Sequence, residues 1–400
     1  MRTERNERTG MKKIAFVCQR YGEEVNGGAE AECRMYAERL TPFFDVEVIT
    51  TCAQDYITWA NSYPEGVSEL NGVTVRRFKV FMKRPLHLFG MLSAMVTKAA
   101  HSDGTEKIWL LAQGPWSPAL IQYLRRHGTD YDAVLFMTYL YYPTVSGIQE
   151  PCRRKILIPT AHDEWPIYQR QYGRVFAKAD AFVYNAPAEK RFVEKLFPVS
   201  AGRPGITVGA GVTYPRKDLP SVEERFGIRG PYLCYAGRID PYKGCETLFQ
   251  YFTRYQDRHE NRLQLVLTGK AAMEIPERPD IHALGFVSEE EKYAVMKDAA
   301  ALVLASEFES LSIVVLESMM MGSPVLVNGK CEVLKDHCTM SNAGFYFHSY
   351  EEFEAELDYM LEHPTVYAQM CENGKAYIRD HYQWEHIIRQ LADLINEQTA

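Results

Sequence analysis

Short apolar runs rich in β-branched residues alternate along this chain with longer stretches of helical period. The runs are "KKIAFVCQ" (12–19), "DVEVITTC" (45–52), "YDAVLFMTY" (131–139), "RRKILIPTAHD" (153–163), "DAFVYNA" (180–186), "PYLCYAGRID" (231–240), "LQLVLTGKA" (263–271), "ALVLAS" (301–306) and "SPVLVN" (323–328). Continuous apolar strands separated by helices predict parallel sheets covered on both faces. A polar, proline-bearing stretch, "TYPRKDLPSVEERFGIRG", follows "GITVGAGV" (205–212) and divides the pattern into two doubly wound α/β halves. In such folds ligands bind beyond the carboxyl ends of the strands, and with two facing halves the cleft between them is the expected site.

Length agrees with that division, because 400 residues exceed one ordinary core. A net charge of −7 argues against a nucleic-acid partner. No apolar stretch approaches the ~20 residues of a membrane span. The opening "MRTERNERTGMKK" has no apolar signal core and reads as a frayed leader or cloning remnant. Nine cysteines, scattered without a CxxC pair, suit a reduced cytoplasmic protein. His337 lies between Cys331 and Cys338, but the spacing is wrong for a zinc knuckle, and no metal site is expected.

Four stretches carry candidate chemistry. In "EFESLSIVVLES" (307–318), Glu309 falls in the turn after a strand and Glu317 about one turn into a helix. Ser310 or Ser312 would cap that helix, and Gly322 followed by Pro324 would end it. Its N-terminus is an anion site, and acids flanking an anion are suited to gripping hydroxyls, as a carboxylate grips a ribose diol. Solvated acids on a helix face are the plainer alternative. In "YAGRIDPYKG" (235–244), Arg238 and Lys243 stand in a glycine-framed loop after a strand, suited to a diphosphate. In "RYGEEVNGGAEAECRMYAERL", Gly27 and Gly28 precede a helix and would let backbone approach a phosphate, although a structural turn explains many such pairs. In "PTAHDEWP" (159–166), His162 ends a strand, where Asp163 or Glu164 would orient it or face water.

Together these stretches resemble the retaining glycosyltransferases of family four, which have the GT-B fold of two Rossmann-like domains facing a central cleft. The similarity runs from Lys12 onward and is most specific at the Glu309–Glu317 spacing followed by "SMMMGSPVLV", and at "GRIDPYKG". "LGFVSEEEKYAVMKDAALVLAS" (284–306) and the closing "HYQWEHIIRQLADLI" (381–395) extend it. The resemblance implies an acceptor-binding domain over 12–215, a donor-binding domain over 216–380, and a closing helix, 381–400, that returns to the first domain. It implies a UDP- or GDP-sugar donor carrying a hexose or N-acetylhexosamine, and a glycan, lipid-linked or small-molecule acceptor. Arg238 and Lys243 would hold the diphosphate, Glu317 the ribose, and Glu309 the transferred sugar. The Gly285, Phe286 and Val287 backbone would border the base, and His162 would lie near the reacting carbon. Gly27, Gly28 and the run Ser310, Leu311, Ser312 and Ile313 would complete the donor contacts, with no metal or other cofactor. Where the family often has Glu-Gly-Phe-Gly, this chain reads Glu309-Ser310-Leu311-Ser312, which leaves the sugar open.

Two other classes share parts of this pattern, a sugar-nucleotide epimerase and a non-catalytic nucleotide-sugar binder. A nicotinamide oxidoreductase would need a GxGxxG turn that neither half shows. One segment, 75–100, interleaves Arg76, Arg77, Lys79, Lys83 and Arg84 with Phe78, Phe81, Leu88 and Met91. It suits peripheral contact with the inner face of a membrane, but a basic strand followed by a core-facing helix is the readier reading.

Overall fold

The structure is a computed structural model and describes residues 10–25, 27–98, 101–215, 218–259 and 263–400. The charged start over 1–9 and parts of the polar stretch before Tyr232 therefore lie outside the described residues. The chain forms two compact units, one from residues 1–210 with 387–400 and the other from 211–386.

The first unit is built on an eight-stranded sheet. Its strands are β1 (Lys13–Val17), β2 (Asp45–Thr51), β3 (Gly66–Leu70), β4 (Val73–Phe78), β5 (Ala133–Met137), β6 (Lys155–Ile158), β7 (Ala181–Tyr184) and β8 (Gly205–Thr207), in the order β3-β4-β2-β1-β5-β6-β7-β8. All pairs are parallel except β3 with β4. Every residue of β5 and β7 is buried, so helices must cover both faces, and the unbroken apolar runs of these strands have that cause. Each fully buried Val, Leu, Ile or Phe contributes about 1.5–3 kcal/mol. The core of this unit runs from Val17 and Ile49 through Phe136 to Phe176 and Phe182.

The second unit holds a six-stranded, wholly parallel sheet. β9 (Tyr232–Ala236), β10 (Gln264–Thr268), β11 (Ile281–Ala283), β12 (Ala301–Leu304), β13 (Val325–Asn328) and β14 (Gly344–Phe347) lie in the order β11-β10-β9-β12-β13-β14. The chain winds outward from β9 to β11, then returns to the other side of β9 and winds outward again. The direction reverses between β9 and β12, and the loops leaving the carboxyl ends of these two strands flank that switch point.

The apolar rhythm does not expose five of these strands. β11 and β14 are short and only partly buried, β8 has three residues, β4 alternates buried with half-buried residues, and β3 is almost wholly exposed at the sheet edge. The β3–β4 hairpin does carry a signal, however. Asn71 and Gly72 join it with φ of 50° and 80°, the mirror-image turn that an Asn-Gly pair favours. All nine cysteines are free thiols, seven of them buried. No helix among the described residues is long and apolar enough to cross a membrane.

Candidate functional site

In the second unit the loops after four neighbouring strands are tied side by side along one edge. The loop after β11 accepts a bond from the loop after β10, Gly269 N to Gly285 O at 2.7 Å. The loop after β10 accepts one from the loop after β9, Ile239 N to Lys270 O at 3.0 Å. The loop after β9 accepts one from the loop after β12, Ser306 Oγ to Lys243 O at 3.2 Å. Two glycines make the approach close enough. A Cβ on Gly269 would strike the Gly237 carbonyl, and one on Gly244 would strike the Ala305 carbonyl. Both glycines have positive φ, 133° and 69°.

This edge gathers the residues expected to hold a donor. Lys243 Nζ donates to Glu309 Oε1 at 2.8 Å, so the cation and the first acid of the pattern are direct partners. Asp240, buried and not anticipated from the sequence, organises the cationic loop. Its Oδ2 takes the Arg238 guanidinium, and its Oδ1 accepts the Lys243 amide at 3.0 Å, capping the short 3-10 turn Pro241–Lys243. Gly244 then starts the 14-residue helix Cys245–Arg258, whose N-terminus opens beside Lys243. Gly285, with φ of 69°, turns the loop after β11, and Phe286 beside it is 81% exposed.

The helix Ile313–Met321 begins after Ser312 and stops at Gly322 in a left-handed conformation, as its sequence predicts. Its start is unusual. Ser312 itself is left-handed, with φ of 62°, and its hydroxyl caps nothing. The Ser312 Oγ and Glu317 Oε2 are buried and have no hydrogen-bond partner among the described residues. Glu317 Oε1 accepts from Lys292 Nζ at 2.7 Å and Tyr293 Oη at 3.3 Å. Burial raises the Glu317 carboxyl above its ordinary range, and Lys292 pulls against that rise. Glu317 is thus a buried acid with one oxygen satisfied and one not, which excludes a solvated helix face for it. Glu309 is half-buried. Leu311 is buried, and its carbonyl accepts from His337 Nε2 at 2.8 Å. Burial lowers the His337 pKa and keeps the ring neutral, with Nδ1 facing Tyr377 Oη at 3.2 Å. His337 thus anchors the turn before the helix. Cys338 donates to the Phe345 carbonyl at 3.4 Å.

In the first unit His162 leaves the carboxyl end of β6. Its Nε2 lies 3.5 Å from Glu164 Oε2, while Glu164 Oε1 accepts from Tyr139 Oη at 2.8 Å. Burial pushes the Glu164 carboxyl up, but the bonds from His162 and Tyr139 outweigh it and hold the group below its usual range. The turn is strained, with Thr160 at φ 48°. Glu189 clamps it, accepting from Ala161 N at 2.5 Å and Asn185 N at 2.6 Å. Glu189 follows Pro187 in the first turn of the helix Pro187–Leu196, a helix-start signal that hid a tertiary role.

Gly27 and Gly28 open the helix Gly28–Leu40, but they differ. A Cβ on Gly27 would run into the buried Arg20–Glu30 pair, in which Arg20 Nε meets Glu30 Oε1 at 2.8 Å. Gly28 has no such neighbour. Steric need therefore rests on Gly27, while Gly28 presents open backbone. Within the second unit the structure brings Arg238, Lys243, Gly285, Phe286, Val287, Glu309, Ser310, Leu311, Ser312, Ile313 and Glu317 to one sheet edge or the helix it feeds. Gly27, Gly28 and His162 belong to strand ends of the first unit.

Solved structures share this architecture over nearly the whole chain. Sucrose-phosphate synthase from Thermosynechococcus elongatus superposes with a TM-score of 0.69 at 17% identity, covering 96% of this chain and 98% of its own. Anabaena HepE, solved in complex with UDP and glucose, gives 0.67 at 15% identity, covering 96% and 100%. The fold is GT-B, two Rossmann-like units each wound about its own sheet. Residues 222–377 match the family model of glycosyl transferases group 1. Alpha-D-kanosaminyltransferase of Streptomyces kanamyceticus is 27% identical over 195 residues, 44% of this chain and 48% of that enzyme. The chain spans about half the length of the first curated relatives it matches, 44% and 48% of them.

Proposed function

We propose that this protein is a retaining glycosyltransferase. It moves a hexose or N-acetylhexosamine from a UDP- or GDP-sugar to a hydroxyl of a glycan, glycolipid or small molecule, in the cytoplasmic synthesis of a surface polysaccharide or glycoconjugate. The observation that carries the reading is Glu317, buried, half-satisfied, and one turn into a helix whose N-terminus shares an edge with Lys243. A ribose diol offers the donors that the second carboxylate oxygen lacks. The match of residues 222–377 to glycosyl transferases group 1 supports the same assignment, and the HepE complex favours UDP over GDP as the first donor to try.

Chemically, the bond from the anomeric carbon to the diphosphate oxygen breaks through an oxocarbenium-like transition state. Arg238, Lys243 and the helix N-termini stabilise the departing charge. A leaving phosphate oxygen takes the acceptor's proton as the acceptor oxygen bonds to the same face of the sugar. No divalent ion enters this scheme, so turnover should persist in EDTA. Loss in EDTA that manganese or magnesium restores would overturn it.

The two acids test the assignment directly. Glu317→Gln is expected to weaken bare nucleoside diphosphate and sugar donor alike, because both carry the ribose. Glu309→Gln is expected to leave nucleotide binding nearly intact and depress turnover, because its partner is the sugar where charge develops. Titration calorimetry with UDP and GDP, beside steady-state turnover, decides the matter. Two variants that bind and turn over like the parent would place the donor elsewhere.

A further inference from the structure

Between Arg84 and Lys98 the chain carries no Asp, Glu, Lys or Arg, yet this segment forms an outward-facing helix, Leu86–Lys98. Only one side of it is covered. Leu92 and Val96 are buried, Phe89 packs on Trp109 at 5.9 Å, and Ser93 Oγ accepts from Trp109 Nε1 at 2.9 Å. On the other side Leu88, Met91 and Met95 form an exposed stripe, with Met91 57% and Met95 50% exposed. Leu86 and, just before the helix, Phe81 and Met82 extend it, Phe81 being 71% exposed. The basic strand Val73–Phe78 and a core-facing side of this helix are as the readier sequence expectation has them, but the Met side faces outward. A helix apolar all round normally lies wholly inside a protein or against lipid, because water favours a charged outer face.

The surrounding charge says which partner fits. Residues 70–102 hold six Lys and Arg and no Asp or Glu, in a chain whose net charge is −7. Two of these cations lie exposed beside the apolar stripe, Lys83 and, although 3.5 Å from Glu65, Lys79. A second copy meeting the same patch about a two-fold axis would set these lysines against themselves. An anionic bilayer surface accepts both the lysines and the apolar stripe.

We propose that the helix Leu86–Lys98, with Phe81 and Met82, docks this protein on an anionic lipid surface. The patch stands two rings from the His162 loop, since Trp165 packs on Trp109 at 5.3 Å and Trp109 on Phe89. Trp165 is itself partly exposed, so the lipid-facing side and the candidate acceptor side of the first unit are neighbours. The inference is independent of the transfer chemistry, and its test reads lipid alone.

Co-sedimentation compares vesicles of phosphatidylcholine with vesicles of phosphatidylcholine and phosphatidylglycerol. The parent protein is expected to sediment with the mixed vesicles only, and less so as salt rises. The double variant Met91→Glu, Met95→Glu should lose binding while keeping the parent's melting temperature, because both side chains face outward. Lys83→Ala should bind the mixed vesicles about fivefold more weakly, the effect expected of one lysine at such a surface. If the double variant does not fold, Lys79→Ala combined with Lys83→Ala carries the test. No sedimentation of the parent with anionic vesicles, or sedimentation of the variants equal to the parent's, overturns the proposal. So does a dimer in sedimentation velocity that the Met91→Glu, Met95→Glu change disperses without any lipid binding.

Discussion

Lys243→Ala is expected to abolish transfer and to weaken nucleoside diphosphate binding about ten- to hundredfold. The Lys243 ammonium sits where the loop after β9 meets the N-terminus of the helix Cys245–Arg258, and its partner Glu309 lies across the switch point. A charge-assisted contact to a diphosphate contributes about 1.5–3 kcal/mol, which sets the binding loss. Turnover should fall further, because the same charge stabilises the leaving group as negative charge develops. Stability should barely move, since the pair with Glu309 is partly exposed and such pairs contribute ~0–1 kcal/mol. Lys243→Arg keeps the charge but changes its shape, and should recover binding better than turnover. Calorimetry, turnover and a thermal melt on the same preparations separate the cases. A lowered melting temperature with unchanged nucleotide affinity would make Lys243 a structural residue and remove it from the site.

Gly244→Ala should be among the most damaging single methyl additions in the second unit. Its left-handed backbone alone costs an alanine about 1–2 kcal/mol. The new Cβ would also be driven into the Ala305 carbonyl, which Asn328 Nδ2 already holds at 3.0 Å. The β9 and β12 loops must then separate, and a total loss of about 3 kcal/mol or more is expected. Gly285→Ala is the control. Gly285 shares the φ of 69°, but a Cβ there meets nothing within 4 Å, so it should lose only the backbone term of about 1–2 kcal/mol. Equal melts for the two variants would show that the loops tolerate separation and that their contact does not define the site.

The carboxyl-end placement of Arg238, Lys243 and Glu309 was legible because buried parallel strands write themselves as unbroken apolar runs. Gly322 and Pro324 marked the end of the second acid's helix equally plainly. What stayed hidden depends on pairs distant in sequence. Lys292 and Glu317 lie on separate helices, and Asp240 reads as an ordinary loop acid until its two carboxylate oxygens are seen to divide between Arg238 and the Lys243 amide. His337, set aside as a metal ligand on spacing, anchors the Leu311 carbonyl through a contact no spacing rule reaches. The helix Leu86–Lys98 was legible only on its core-facing side, because a stretch without charges over 85–97 does not say what covers its second side.

The first unit is discontinuous in sequence, and that affects its birth. The segment 387–400 supplies buried Ile387, Ile388, Leu391 and Ile395, and the helix is fastened by Lys12 Nζ to Asn396 Oδ1 at 3.2 Å and by Arg154 Nε to the Gln398 carbonyl at 2.6 Å. The strands synthesised first therefore keep an uncovered apolar surface until the segment beyond residue 386 has emerged. The second unit, begun later, is finished earlier. A nascent chain stalled before Ile387 would present an open flank to chaperones and proteases at its amino-terminal half, the half that is older.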